Sequence, residues 1–387
     1  MIAIGLAFAF VGVQAILVPS LVPSIQSTFA QDDAGLGAYF LVASAGFAAG
    51  ALLGRRLGRA IGVRADVVVG GALIATGLLS QGGAPGWPAF VAGGALAALG
   101  QALTQVGLNT LVMDRYPESR NRALALGHLA ISLAAVLLPL AAAASVGAGV
   151  AWRTLFIGCA GAWLMITALL VKAVPASPRL TAPTGVDEQA ETGSMRARVG
   201  PFLAVLAIAT GCYVAAETGL LNWMVRYLDP LPAMVAGASL SLFWLGIVIG
   251  RIALARADPR IQPVRTATTL AVVGGVLVAV AVLAPAPIIS LAMFGAAGAV
   301  LGPIYPLILA AAGDRLPGQS AFAVGTLTLA GVVGAIIYPP VVGLLSAAVT
   351  LQVALLGTVA LLVTTAVALA FSRIVDTWSA PASSLGR

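Results

Sequence analysis

Long apolar runs alternate with short polar breaks along the whole chain. The runs fall at roughly 1–20, 36–54, 66–83, 88–112, 122–145 and 152–174, and again at 200–226, 235–256, 264–284, 286–312, 320–345 and 350–374. A bilayer-crossing helix needs about 20 apolar residues, so each run is long enough to span. Glycine and proline inside the runs are compatible with membrane helices, whose neighbours re-satisfy the freed backbone groups. The first run has no basic residue before it and leads into Val18-Pro19 and Val22-Pro23. A cleaved signal peptide carries a positive leading region, so this run reads as a retained first helix. The pattern predicts an all-α integral membrane protein with twelve transmembrane helices.

Composition sharpens this. Of 387 residues, 60% are apolar and 9% charged, against about 45–50% and about 25% in soluble domains. A water-soluble globule, a disordered tail and a disulfide-stapled secreted domain are all excluded. Nucleic acid is not the expected partner despite the net charge of +7. Nineteen of the twenty basic residues are arginine, Lys172 being the only lysine, and they sit in the breaks without interleaved aromatics. Their placement is a topology signal. With the N-terminus inside, eighteen basic residues fall on the inner side, and only Arg153 and Arg226 on the outer. The expected setting is the cell (cytoplasmic/inner) membrane, multi-pass, with both termini cytoplasmic. Cys159 and Cys212 both lie inside apolar runs and read as packed free thiols.

The longest break, 175–199, is polar, mixed in charge and rich in proline and glycine, which reads as a flexible cytoplasmic linker. It divides the chain into six-helix units at 1–174 and 200–374, with a cytoplasmic tail at 375–387. The units carry a repeat. Asp114-Arg115-Tyr116-Pro117 is matched by Asp314-Arg315-Leu316-Pro317 at an offset of 200 residues, Gly50 by Gly250, and Pro139 by Pro339. Three matches at one offset predict two pseudo-symmetric six-helix bundles, a transporter architecture.

On these residues the chain resembles the major facilitator superfamily. Gly50-Ala51-Leu52-Leu53-Gly54-Arg55-Arg56-Leu57-Gly58-Arg59 is similar to the family's signature loop, with Gly54 where the family pattern has an aspartate. The resemblance implies that Gly50, Gly54, Arg55 and Arg59 belong to a cytoplasmic gate. The second unit looks most like the fucose–galactose–glucose:proton symporter branch. The similarity rests on Cys212 to Thr218 with Trp223 and Arg226-Tyr227, on Gly302-Pro303-Ile304-Tyr305-Pro306, and on Gly331 to Pro340. Two carboxylates of that branch have no counterpart, their places being taken by Ala15 and Gln105.

Ionisable groups within membrane helices mark function by default. Thirteen acids are present and all but Glu217 fall in loops or near the ends of runs. Glu217 is either a proton-coupling or substrate-binding carboxylate or a structural glutamate held by a neighbouring helix. His128, the single histidine, is a relay candidate or a packing residue. Gln101, Thr104, Gln105 and Asn109 share an arc of about 140° on one helix at about 100° per residue. Amides so placed serve a neutral hydroxylated solute, or bind helices together. Gln14 and Asn222 are further polar candidates. Tyr39, Tyr213, Trp223, Trp244, Tyr305 and Tyr338 could stack on a sugar ring or fill the core; the resemblance favours Trp223 and Tyr305. Arg153 and Arg226 read as interfacial snorkelling residues or contacts for an anion.

One histidine, two separated cysteines and no acid cluster leave no ordinary metal site, and no cofactor is expected. The absence of a Gly-Lys-Ser/Thr sequence excludes a phosphate loop. The expectation is a secondary transporter that moves a small neutral solute, sugar- or polyol-like, across the membrane by alternating access with proton coupling through Glu217. Its partners are the solute, protons and membrane lipid, and a monomer suffices. Proton-driven export of drugs or metabolites and facilitated uniport remain open, as does a non-transporting membrane sensor. An enzyme is not expected, since no nucleophile–base pair or metal site can be assembled.

Overall fold

A computed structural model of the chain describes residues 2–116, 118–173, 192–258, 260–316 and 320–379. Most of the 175–199 linker and the tail beyond 379 lie outside the described residues, as do the side chains of Arg55 and Arg59. The helices are α1 (Ile2–Phe29), α2 (Asp33–Ile61), α3 (Val63–Gly82), α4 (Trp87–Arg115), α5 (Arg120–Gly147), α6 (Trp152–Ala173) and α7 (Thr192–Tyr227). They continue with α8 (Ala233–Ala255), α9 (Pro263–Leu283), α10 (Pro287–Leu301), α11 (Ile304–Arg315), α12 (Ser320–Ala348) and α13 (Leu351–Ser379). There is no strand among the described residues. Twelve segments are long and apolar enough to cross a membrane, α10 and α11 forming one of them.

The tenth run breaks because of its prolines. Pro303 has no N–H for the Ala299 carbonyl, and Pro306 none for the Gly302 carbonyl. The chain therefore turns between α10 and α11, and neighbouring helices supply donors there. The Tyr213 hydroxyl donates to the Leu301 carbonyl at 3.0 Å, and Arg251 Nε to the Gly302 carbonyl at 3.4 Å.

In the first half α1 packs on α5 and α6, α2 on α4, and α3 on α4 and α6; in the second, α7 packs on α12 and α13, α8 on α10, and α9 on α10 and α13. The repeat extends into the contacts. Gly50 of α2 meets α4 so closely that a Cβ on it would lie 2.3 Å from the Leu99 carbonyl oxygen; Gly250 of α8 meets α10, with the Ala299 oxygen at 2.0 Å. Both partners are again 200 residues apart. The caps match too: Tyr116 and Leu316 adopt φ/ψ of −125°/59° and −121°/59°, each N–H donating four residues back.

Between the halves the seams are α2 against α12, α5 against α8, and α1 against α7. The glycines where the two backbones meet, Gly37, Gly237 and Gly343, approach Pro340, Pro139 and Asp33 respectively. All three lie toward the end of the molecule opposite the helix termini that carry Arg56, Arg64, Arg115, Arg251 and Arg315, termed here the arginine face. The halves are thus closed against one another at the far end. At that end Phe29, Trp87, Phe90, Trp152 and Phe156 form one aromatic cluster. The Arg153 guanidinium lies over the Phe29 and Trp152 rings and donates to the Gly82 and Ala84 carbonyls. Its charge is committed to the fold of the first half.

Candidate functional site

A cavity of about 300 Å³ lies between the halves, lined by α1, α2, α3, α4 and α6 on one side and by α7 and α12 on the other. Its polar lining comprises Gln14, Tyr39, Ser44, Gln81, Gln101, Thr218 and Asn222, set among Phe40, Phe47, Phe156 and Ile336. No acidic or basic side chain belongs to that lining. Local bonds orient the amides. Gln14 Nε2 donates to the Ala97 carbonyl at 2.8 Å, Gln101 Nε2 to the Val11 carbonyl at 3.4 Å, and Asn222 Nδ2 to the Thr218 carbonyl at 2.8 Å. Each NH₂ group keeps a second N–H and each amide a carbonyl oxygen, so the amides can both donate and accept; Gln14 Oε1 is buried without a partner. Gln81 Nε2 donates to the Tyr39 hydroxyl at 3.2 Å, which leaves the phenolic proton free to donate elsewhere. Uncharged groups that both donate and accept suit hydroxyls, which do the same.

Of the residues singled out from sequence, Gln14, Gln101 and Asn222 line this cavity. Gln105 and Asn109 lie further along α4, half-buried and outside the lining, and Asn109 Oδ1 has no hydrogen-bond partner. Thr104 is wholly buried against Gly70 of α3. Trp223 is also wholly buried, its Nε1 donating to the Pro339 carbonyl at 2.9 Å and its ring 5.7 Å from that of Phe40. It therefore packs across the seam beside the cavity. Tyr305 bonds Thr328 at 3.1 Å on the α11–α12 side. The His128 ring is tilted at 51° to that of Phe8, centroids 5.9 Å apart, outside the cavity lining. Tyr39 was legible as an aromatic. Thr218 fell within the Cys212–Thr218 stretch without being singled out, and Ser44 and Gln81 were not legible, because a single polar residue in or at the end of an apolar run carries no periodic signal.

Glu217 is half-buried on α7, one residue from Thr218. The Tyr213 hydroxyl lies within hydrogen-bond reach of its carboxyl group, and the Arg251 charge acts on it. The Tyr213 proton itself goes to the Leu301 carbonyl at 3.0 Å, at the break in the tenth span.

Two further carboxylates are buried although each stands in the first turn of its helix. Asp33 sits at the far seam. Its Oδ1 accepts from Gln26 Nε2 at 2.9 Å and from Arg226 Nε at 3.0 Å, and its Oδ2 accepts from the Ser346 hydroxyl. Four helices, two from each half, meet on this one carboxylate. Arg226 is thus an inter-half ion pair rather than a snorkelling side chain, because the closed seam brings α2 to α7. Asp66, in the first turn of α3, is 2% exposed. Gly54 lies beside it, in buried surroundings, and Gly50 holds α2 against α4. Among the described residues no group of three or more histidines, cysteines or acids converges as a metal site would.

The sequence matches the Major Facilitator Superfamily over residues 2–301. No curated protein matches it. Among solved structures, a bacterial homologue of the human lysosomal transporter Spinster, inward-facing and unoccupied, superposes with a TM-score of 0.80 at 15% identity, covering 98% of both chains. A D-xylose–proton symporter gives 0.74 at 16% identity, covering 95% of this chain and 96% of that one. The E. coli fucose:proton symporter gives 0.61 at 19% identity, covering 96% and 97%. At these identities the structures share the fold alone, and they do not single out the fucose branch. The match over most of the sequence, together with twelve spans folded as two related halves, shows that this chain belongs to the Major Facilitator Superfamily.

Proposed function

We propose that the protein carries a small neutral solute, sugar- or polyol-like, by alternating access, with proton coupling through Glu217. The observation that carries this reading is the uncharged cavity between the halves, lined by the amides of Gln14, Gln81, Gln101 and Asn222. A hydroxylated solute both donates to and accepts from such amides, and Phe40, Phe47 and Phe156 supply apolar faces for a ring. The units 1–174 and 200–374 rock about the cavity, with the linker allowing the motion. The arginine bias supports an orientation with the arginine face and both termini in the cytoplasm of an inner membrane. In that orientation the closed far seam makes this an inward-facing state. Signature-loop residues Gly50, Gly54, Arg55 and Arg59 then belong to the cytoplasmic gate.

The test uses purified protein in liposomes loaded with a pH-sensitive dye and a panel of neutral sugars and polyols. One solute should acidify the interior in wild type, and Glu217→Gln should abolish that acidification. Acidification that survives in Glu217→Gln removes the coupling role; silence with every solute removes the symport reading. Gln101→Leu keeps the side chain's bulk but removes one acceptor. Loss of one hydrogen bond to a neutral hydroxyl is worth about 1–1.5 kcal/mol, or about tenfold in half-saturating solute concentration. Uptake titrations on that variant should show the shift with the maximal rate little changed.

A further inference from the structure

Asp66 stands at the arginine face with 2% of its surface exposed. α3 packs against α4, α6 and α2, and Gly54 of α2 leaves a slot beside it. A Cβ on Gly54 would lie 3.5 Å from Asp66 Oδ2, and as close to Leu103 Cδ2 and Val106 Cβ of α4. The carboxyl group thus shares an apolar slot with two aliphatic side chains. Its Oδ1 is buried and has no hydrogen-bond partner. This sets it apart from Asp33, which accepts three bonds at the seam.

The charged groups on the elements around it are turned elsewhere or are exposed. Arg64, on its own helix, donates to the Val171 carbonyl of α6. Arg56 of α2, Arg115 of α4 and Lys172 of α6 are exposed. Asp114, Arg55 and Arg59 have side chains outside the described ones. An ionised carboxylate with a bare buried oxygen forfeits hydration worth several kcal/mol without replacement. A proton on the group removes that penalty and makes the acid a donor.

We infer that Asp66 is a second proton-binding site, in the first half and separate from Glu217, reached from the arginine face. Any part it plays in the transport cycle rests on the proton-coupled reading above; the presence of the proton does not.

Infrared titration of the purified full-length protein tests it, since a protonated carboxylic acid has a carbonyl-stretch band distinct from that of a carboxylate. Wild type near neutral pH should show such a band, which fades on alkaline titration. Asp66→Asn, nearly isosteric, should lose one acid's share of it, whereas Glu217→Gln should retain that share. Asp66→Glu, which keeps the acid, should retain a band at a shifted frequency. An Asp66→Asn spectrum that superimposes on wild type throughout the titration overturns the assignment. The titration needs no solute, so a wild type that moves no protons with any sugar or polyol would sink the coupling reading alone.

Discussion

Replacing Asp33 by alanine is expected to release the far end of the molecule, shifting the population toward states open there by about 30- to 100-fold. The carboxylate is the only acceptor common to Gln26, Arg226 and Ser346, which lie on α1, α7 and α12. Its loss leaves three donors without that partner at a seam where the carboxylate side chain is only 10% exposed. Bonds to a charged group are worth about 1.5–3 kcal/mol each. The Arg226 side chain is 32% exposed, so water recovers part of its share. A net loss of about 2–2.7 kcal/mol remains, which corresponds to the stated shift. Spin labels at Ala148 and Ala348, exposed loop-end positions of the two halves, would report the separation by pulsed electron resonance. The reversed pair, Asp33→Arg with Arg226→Asp, should recover part of the closed population. An unchanged distance distribution in Asp33→Ala would show that the glycine seams alone hold the end shut.

The second large effect concerns the repeat's tightest contact. Gly250→Val should leave little or no folded monomer. A Cβ there would stand 2.0 Å from the Ala299 oxygen and 3.0 Å from Pro303 Cδ, both parts of the broken tenth span. Even one added methyl in a filled core costs about 1–3 kcal/mol, and a β-branched side chain adds two more carbons in the same place. Backbone cannot step aside as a flexible side chain can. Gly50→Val, against the Leu99 oxygen at 2.3 Å, should behave in the same way. Gly161 of α6 has no atom within 4 Å of a Cβ, and Gly161→Ala should be neutral or stabilise by up to about 1 kcal/mol through helix propensity. Melting curves and the monodisperse fraction in detergent separate these outcomes. Equal stability of Gly250→Val and Gly161→Ala would mean that the α8–α10 approach is not a fixed feature of the fold.

How far the sequence could be read depended on the range of the physics involved. Span positions depend on local hydropathy, and run 36–54 lies within α2, as run 152–174 largely coincides with α6. The 200-residue offset was visible in loop and proline positions and proved to extend to the Gly50–Leu99 and Gly250–Ala299 contacts. The run at 286–312 was read as one span and is one; the break within it at Gly302-Pro303 comes from the prolines, with Tyr213 and Arg251 donating to the carbonyls there. Asp66 looked like the edge of a loop because the third run began there. Burial under α2 and α4 is what makes it notable.

The amide stripe shows the same limit. Periodicity put Gln101, Thr104, Gln105 and Asn109 on one broad arc, yet only Gln101 reaches the cavity lining while Thr104 is packed against α3. A helix's roll within its bundle decides which part of such an arc is cavity and which is seam, and that roll is set by glycine contacts with neighbours. Arg226 and Asp33 are 193 residues apart, so no local pattern could have joined them. The sequence by itself determined the number of spans, the duplication and the arginine face, because each follows from the hydropathy, charge and spacing of residues near one another. Only the tertiary structure decided the cavity's lining, the far-end ion pair and the bare carboxyl group of Asp66, because each depends on which helices meet and at what height.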